Sequence, residues 1–530
     1  MKKMIGKFLQ QRRVARGLTQ EYVANRLNIS RQAVSNWEKG TRQINITDLI
    51  AYAKILEISF EDLEVHINHF TKLESEEYKT SSASTRILPE HFNLELRKSN
   101  SNHKKIKHIK IEGDKVVGVH ILLTSLLFGN KELVIKNCPS ALDFLNILYE
   151  FGSSGWMDAK TSKDKLKLTT QDIPYDITTL NRISRASIGV ISALTYKYHK
   201  LLFTFPGGDD FCDRPINLHL DILSTISTYQ YDAIDNCYYS ERNDLLNKNI
   251  SLNCYAMGSK SVGAFFNAIS LAYVYPNEIM INGISPDPTI SYLVSLLESA
   301  TNRSVEYVTS DKIRIPKVEE IEIKDAEIVL PPDMSVLVSY VLLLWNSLDD
   351  VVFLNVEKKD IPESYLWFFN KLGLSVVDRG NSLSFLKKKQ MDKEYFEFLR
   401  LGAVPFISTD LGPIISEFLA SRNISSILFD EIFISRASHI SELSKLGINL
   451  KVLDNGALKT LRRTQILEIQ EKTFDLKDIR AGMAILMGIN QNKVTYPINL
   501  RKFDQVLRGY GNVKEVLEMI GYEVEIYGET

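Results

Sequence analysis

The strongest constraint on this fold is a spacing. The segments YLWFFNKLGLSVV, HISELSKLGINLKVL and VKEVLEMIGYEVEIY share one form: an amphipathic helix, a glycine, then a β-rich run. Their glycines, Gly373, Gly447 and Gly521, lie 74 residues apart. Upstream, YLVSLLESA ends at Ala300, 73 residues before Gly373, and ALDFLNILYEFG ends at Gly152, 148 residues before Ala300. The copy between them falls near Ile226, where LHLDILSTIS has the helical pattern without the glycine. Six units of about 74 residues are too large for a solenoid. Each has room for two helices and a few strands. The spacing predicts an α/β fold in two similar globular groups of three, with the cleft between them as the natural ligand site.

Composition narrows the setting. Of 530 residues, 44% are hydrophobic and 24% charged, ordinary for a globular protein. The start, MKKMIGKFLQQRR, lacks the apolar core of a secretory signal. The longest apolar runs, Val116–Phe128 and Val336–Trp345, fall short of the ~20 residues of a membrane span and read as buried elements. Cys138, Cys212, Cys237 and Cys254 show no metal-ligand spacing. Reduced thiols in a cytoplasmic protein, with no metal, no cofactor and no membrane, are the expectation.

Net charge is −1, yet the N-terminus is basic. Up to Arg42, ten lysines and arginines face only Glu21 and Glu38, which points to a local anionic partner. Ile5, Phe8 and Leu9 form a helical stripe that ends at Gly17. Thr19 caps a second helix carrying Val23 and Leu27. Asn28 suits the turn, and Ser30 caps a third helix with Val34 and Trp37 inward and Gly40 past its end. Two more helices are expected from about Thr47 and Ser59. Helix, short turn, helix is the geometry that seats a helix in the major groove.

The pattern Gln20, Ala24, Ile29, Ser30, Val34, Ser35, Trp37, Glu38 and Gly40 resembles the Cro/C1-type (XRE) repressor family. Residues 1–66 are therefore expected to bind duplex DNA. Arg31, Gln32, Ser35, Asn36 and Lys39 line the solvent side of the third helix, and Arg, Gln and Asn pair two-pronged with base edges. Gln20, Arg13 and Arg42 are placed at phosphates. Such domains usually bind as dimers, so a homodimer is expected. Residues 67–103, charged and then Ser/Thr-rich, read as a linker.

From about Lys107 the chain resembles the enolpyruvyl transferase family, whose fold is two inside-out α/β barrels of three repeats. The resemblance is closest to the members that use UDP-N-acetylglucosamine. Its strongest segment is RASIGVISALTYKYHKLLFTFPGGDDFCDRPINLHL, Arg185 to Leu220. It implies one domain from residues 104–114 plus 330–530 and a second from 115–329. It also implies transfer of enolpyruvyl from phosphoenolpyruvate to a nucleotide-sugar 3-hydroxyl, at the start of peptidoglycan synthesis. A donor with phosphate and carboxylate on a small frame needs several cations, an acid and a base.

The motifs supply them. The resemblance gives Lys115, Arg214 and Arg508 as donor-binding cations, and Arg436, Arg480 and Asp478 as further substrate-binding residues. Asp410, in FISTDLG, becomes the general base facing the hydroxyl. Arg185 is placed near the nucleotide phosphates. Pro215, Asn217, Leu218, His219, Ser261, Val262 and Gly263 line the nucleotide-sugar site. Most family members have cysteine directly after PGG; here it is Asp209, read as the proton donor. That implies insensitivity to fosfomycin, which alkylates the cysteine; Cys212 is three residues on and reads as a bystander.

The chain also departs from the family. Val116 replaces an asparagine that holds the amino sugar, and Asn217 replaces an aspartate near the uracil. Lys260 is shifted by one place, and PDMSVLV, Pro332 to Val338, replaces a more polar segment. The donor half is complete and the sugar half is partly eroded. Two readings stay open: a working transferase, or a catalytically weak sensor of nucleotide sugar or phosphoenolpyruvate that controls the DNA-binding head.

Overall fold

The structure, a computed structural model, describes Leu9, Gln10, Arg13, residues 18–27, 29–39, Tyr52, Ile55, Leu56, 92–98 and 106–528. Within the last span it leaves out 163–164, 172–174, 208–214, 234–235, 244–247, 257–258, 405, 434–435, 464–470 and 493–496. Two compact units divide the chain, residues 1–87 and 88–530.

In the first unit, helices Gln20–Leu27 and Arg31–Glu38 form the expected pair. Thr19 Oγ1 accepts the Tyr22 N–H at 3.1 Å and Ser30 Oγ accepts the Ala33 N–H at 3.2 Å, so both caps act as the sequence predicts. Leu9, Val23, Ala24, Val34, Trp37, Tyr52 and Leu56 share one small core. The helices expected from Thr47 and Ser59, and most of the first, lie largely outside the described residues.

The second unit realises the repeat. Among the described residues it holds six sheets of three or four strands, distributed over two hydrophobic cores. The three described strands of one, Lys200–Thr204, Ser227–Asp232 and Cys237–Arg242, are antiparallel, while each of the other five joins a parallel strand pair to an antiparallel pair. In one, Ile250–Asn253 and Ile279–Asn282 pair in parallel through helix Val262–Leu271, then helix Pro288–Ala300 leads to the hairpin Glu306–Thr309 and Lys312–Ile315. The unit after Gly373 uses hairpin Leu374–Asp378 and Ser382–Lys387 in the same place. Gly373, Gly447 and Gly521 all have positive φ, at 81°, 70° and 95°. At Gly373 a Cβ would also lie 2.3 Å from the Lys389 carbonyl oxygen. The repeat's glycine is thus the helix-to-strand turn. The copy near Ile226 turns without it, from helix Asn217–Ser224 to strand Ser227–Asp232.

One expectation is corrected. Strand Phe92–Lys98, inside the stretch read as linker, pairs antiparallel with Tyr522–Gly528 and with Ile498–Arg501. It takes the place in the sixth unit's sheet that the second hairpin strand, such as Lys312–Ile315, takes in another. Leu94 and Leu96 alternate inward and are buried. The polar residues on either side hid this short alternation.

The apolar runs become buried helices, Lys115–Thr124 in one core and Met334–Leu343 in the other. Among the described residues no helix is long and apolar enough to cross a membrane. The chain passes between the cores at Gly113 and again at Pro332, and these two crossings pair as a β-bridge. Asp114 N–H donates to the Pro331 carbonyl at 2.7 Å and Asp333 N–H to that of Glu112 at 2.9 Å. A Cβ on Gly113 would sit 1.9 Å from the Asn137 carbonyl oxygen, so only glycine fits this approach.

Candidate functional site

Both crossings deliver a helix N-terminus capped by aspartate. Asp114 Oδ1 accepts from the Val116 and Val117 N–H groups at 2.8 and 3.0 Å. Asp333 accepts from Val336 N–H at 2.9 Å and, across the lobes, from Lys115 N–H at 3.3 Å. Desolvation, then the charge of Asp333, push the Asp114 carboxyl up to about 7.

Lys115 opens its helix beside this junction. Its Nζ donates to Asp143 Oδ2 at 2.9 Å, and Arg508 Nε, from the opposite lobe, donates to Asp143 Oδ1 at 2.7 Å. Burial alone would raise the Asp143 carboxyl; Lys115 and Arg508 outweigh it and hold it below its usual range.

Asp410 forms the centre of a second cluster. Ser408 caps its turn at the head of helix Gly412–Ser421. Arg436 Nη1 donates to Asp410 Oδ1 at 3.1 Å, and Arg480 Nε and Nη2 donate to Oδ2 at 3.2 and 2.7 Å. Burial works to raise Asp410, but the two guanidinium groups dominate and hold it far below the carboxylate range. Both arginines are buried, whereas the Asp410 side chain is 32% exposed. The field of Lys115 reaches Asp410 and that of Asp333 reaches Arg480, so the clusters act as one electrostatic site.

Asp478, expected against substrate, is placed otherwise. It is 1% exposed and caps helix Ile479–Gln491, accepting the Arg480 and Ala481 N–H groups at 2.9 Å each. It also accepts from Ser438 and lies 3.5 Å from Arg436. Buried in this way, the cap helps to orient both arginines.

The other lobe carries the remaining residues. Arg185 lies 5.8 Å over the ring of exposed Phe205. His219 is buried, and burial, then the charges of Arg185 and His120, push it down to about 3, so it is neutral. A Cβ on Gly263 would lie 3.4 Å from His219 Nε2. Ser261 Oγ accepts Ala264 N–H at 3.1 Å, and Val262 follows it into the helix. Pro215 and Asn217 are exposed and Leu218 half-buried on the adjoining segment. Asp209, Cys212 and Arg214 lie outside the described residues.

On the DNA-binding unit, Arg31, Gln32 and Lys39 are exposed and Ser35 and Asn36 half-buried. Gln32 Nε2 donates to Asn36 Oδ1 at 3.2 Å, which ties the two side-chain amides together. One residue placed at phosphates, Arg13, is corrected. Arg13 is buried, donating to Glu38 at 2.6 and 2.9 Å, and Gln20 Nε2 donates to the same carboxylate at 2.8 Å. Buried Glu38 requires these partners, so both side chains fasten the helix pair.

Sequence reasoning missed Asp114, Asp143 and Asp333. Each reads as an ordinary acid at a helix start, and only the meeting of distant segments reveals its partners.

A family model for EPSP synthase (3-phosphoshikimate 1-carboxyvinyltransferase) matches residues 102–517. The chain belongs to this family of enolpyruvyl transferases. A helix-turn-helix family model matches residues 9–63 ahead of the transferase. Among similar curated proteins, the UDP-N-acetylglucosamine 1-carboxyvinyltransferase of Kosmotoga olearia is 24% identical over 437 residues, covering 80% of this chain and 97% of its own. The UDP-N-acetylglucosamine 1-carboxyvinyltransferase 2 of Lactiplantibacillus plantarum is 26% identical over 347 residues, 64% of this chain and 76% of its own. Two solved structures share the fold. The enolpyruvyl transferase NikO from Streptomyces tendae has a TM-score of 0.68 at 14% identity, covering 83% of this chain and 100% of its own. EPSP synthase from Acinetobacter baumannii has a TM-score of 0.54 at 14% identity, with 82% and 100% covered. This transferase is therefore a family enzyme, for which phosphoenolpyruvate is the implied donor, and its helix-turn-helix domain implies DNA binding.

Proposed function

We propose that the body moves the enolpyruvyl group from phosphoenolpyruvate to the 3-hydroxyl of UDP-N-acetylglucosamine or a related nucleotide sugar, for peptidoglycan synthesis in the cytoplasm. The residues 1–66 then bind duplex DNA as a dimer. The observation that supports this best is Asp410, held by Arg436 and Arg480 within the field of Lys115. In this reading Lys115, Arg508 and Arg214 hold the donor's anionic groups. Asp410 takes the proton of the sugar hydroxyl as its oxygen bonds to C2 of the donor. Asp209 protonates the methylene carbon. Loss of one proton from the methyl group so formed and cleavage of the bond from C2 to the phosphate oxygen then release phosphate and restore the double bond.

The test is phosphate release from phosphoenolpyruvate with UDP-N-acetylglucosamine. Wild type should turn over, and Asp209→Ala and Asp410→Ala should each abolish it. Turnover that survives both changes removes the assigned acid and base.

A second reading has its own support. Val116 is 40% exposed on the first turn after Lys115, an apolar side chain where the resemblance expects an amide. With a DNA-binding domain fused in front, this fits a transcriptional regulator whose body senses nucleotide sugar or phosphoenolpyruvate with weak catalysis. No turnover, together with operator affinity that changes when either ligand is added, selects the regulator.

A further inference from the structure

We propose that Asp143 is a positioning residue: it holds Lys115 and Arg508 as one aligned pair across the lobe junction, and donor affinity depends on it. The affinity half rests on the transferase reading of the same site. The carboxylate places one oxygen on each cation, at 2.9 Å for Lys115 and 2.7 Å for Arg508. All three side chains are mostly enclosed, at 13% for Lys115, 17% for Asp143 and 21% for Arg508.

The frame behind Asp143 is tightly fixed. It lies on the first turn of helix Leu142–Ser153. The preceding Ser140 donates its N–H and its hydroxyl to Glu112, at the first crossing, at 2.9 and 2.6 Å. From the opposite lobe, Gly511 lies so close that a Cβ there would be 2.1 Å from Ser140 Oγ. Gly511 follows Arg508 by three residues, so the two backbones that carry this ion pair meet at one point.

The charge balance shows what Asp143 contributes. A carboxylate in an anion site subtracts attraction, so its benefit there is geometric. Lysine has a long stem with many rotamers, and two cations facing one small anion repel each other. One shared carboxylate restrains both and offsets their repulsion. The donor then meets a prearranged pair, which costs no further ordering on binding.

The test uses full-length wild type, Asp143→Asn and Asp143→Glu. In the first arm an N-hydroxysuccinimide ester acylates lysines at neutral pH, and peptide mass spectrometry reads Lys115 against Lys359, whose side chain is 75% exposed. Lys115 should label several-fold faster in Asp143→Asn than in wild type, with Asp143→Glu between them and Lys359 unchanged. In the second arm calorimetry with phosphoenolpyruvate should give a Kd at least tenfold weaker for Asp143→Asn, while UDP-N-acetylglucosamine binding stays within twofold. Equal Lys115 labelling in all three proteins overturns the positioning role whatever the ligand does. Faster labelling with unchanged donor affinity overturns the dependence of affinity on alignment. Faster labelling in Asp143→Asn, with no donor binding by wild type, supports the positioning role and instead removes the transferase reading. If Asp143→Asn does not fold, Asp143→Glu decides by the same two readouts.

Discussion

At the scale of single residues, Asp410 shows how partners set chemistry. Arg480 and Arg436 outweigh the burial that would raise it, so the carboxylate is a very weak base before ligand arrives. In the transferase reading, a bound anion that draws one guanidinium away would restore its basicity and tie proton removal to donor binding. Asp410→Asn should lower phosphate release by about a hundredfold or more. Stability should also fall by about 1–3 kcal/mol in urea melts, since two buried cations lose their charged partner while the site keeps some solvent screening. The contribution of Asp410 is present above the ordinary carboxyl range and is lost only as pH falls through its depressed folded value. Glu417 behaves oppositely. It is fully buried, and burial lifts it to about 8 against the fields of Arg422 and Arg463. Its contribution is full below the ordinary carboxyl range, falls as pH rises above it and is gone beyond about 8, so Glu417→Gln should flatten the stability loss between the ordinary carboxyl range and about pH 8. Fosfomycin should leave no adduct, because Asp209 stands after PGG; a mass shift on Cys212 would contradict this. Lys115, Asp410, Arg436, Arg480 and Arg508 were legible because each sits in a local motif. Asp143 was not, because its partners are 28 residues before it and 365 after it.

At the scale of elements, local chemistry decided much of what formed. Thr19 and Ser30 cap where the sequence places caps, and the glycines turn helices into strands. The exception is Phe92–Lys98. Its seven residues have little identity alone and become a strand through the edges of Ile498–Arg501 and Tyr522–Gly528. Leu94→Ala and Leu96→Ala should each cost about 2–4 kcal/mol. Denaturant melts of the transferase unit check this. A loss under about 0.5 kcal/mol, the level of an exposed site, would show that the segment is a tether after all.

At the scale of the whole molecule, each of the two units has hydrophobic clusters of its own. A protein of residues 88–530 should therefore keep the thermal stability and phosphate release of the full chain and lose DNA affinity. Loss of folding on truncation, seen by circular dichroism, would refute that independence. The sequence by itself determined the six-unit α/β plan, the helix pair of the DNA-binding unit and the motif-borne cations, because periodicity, caps and turn glycines act within a few residues. The tertiary structure alone decided which charges meet. Ion pairs such as those of Asp410 and Asp143 join segments tens to hundreds of residues apart. The Asp410 pairs form within one lobe, whereas the Asp143–Arg508 pair exists only once the crossings at Gly113 and Pro332 have brought the two cores together.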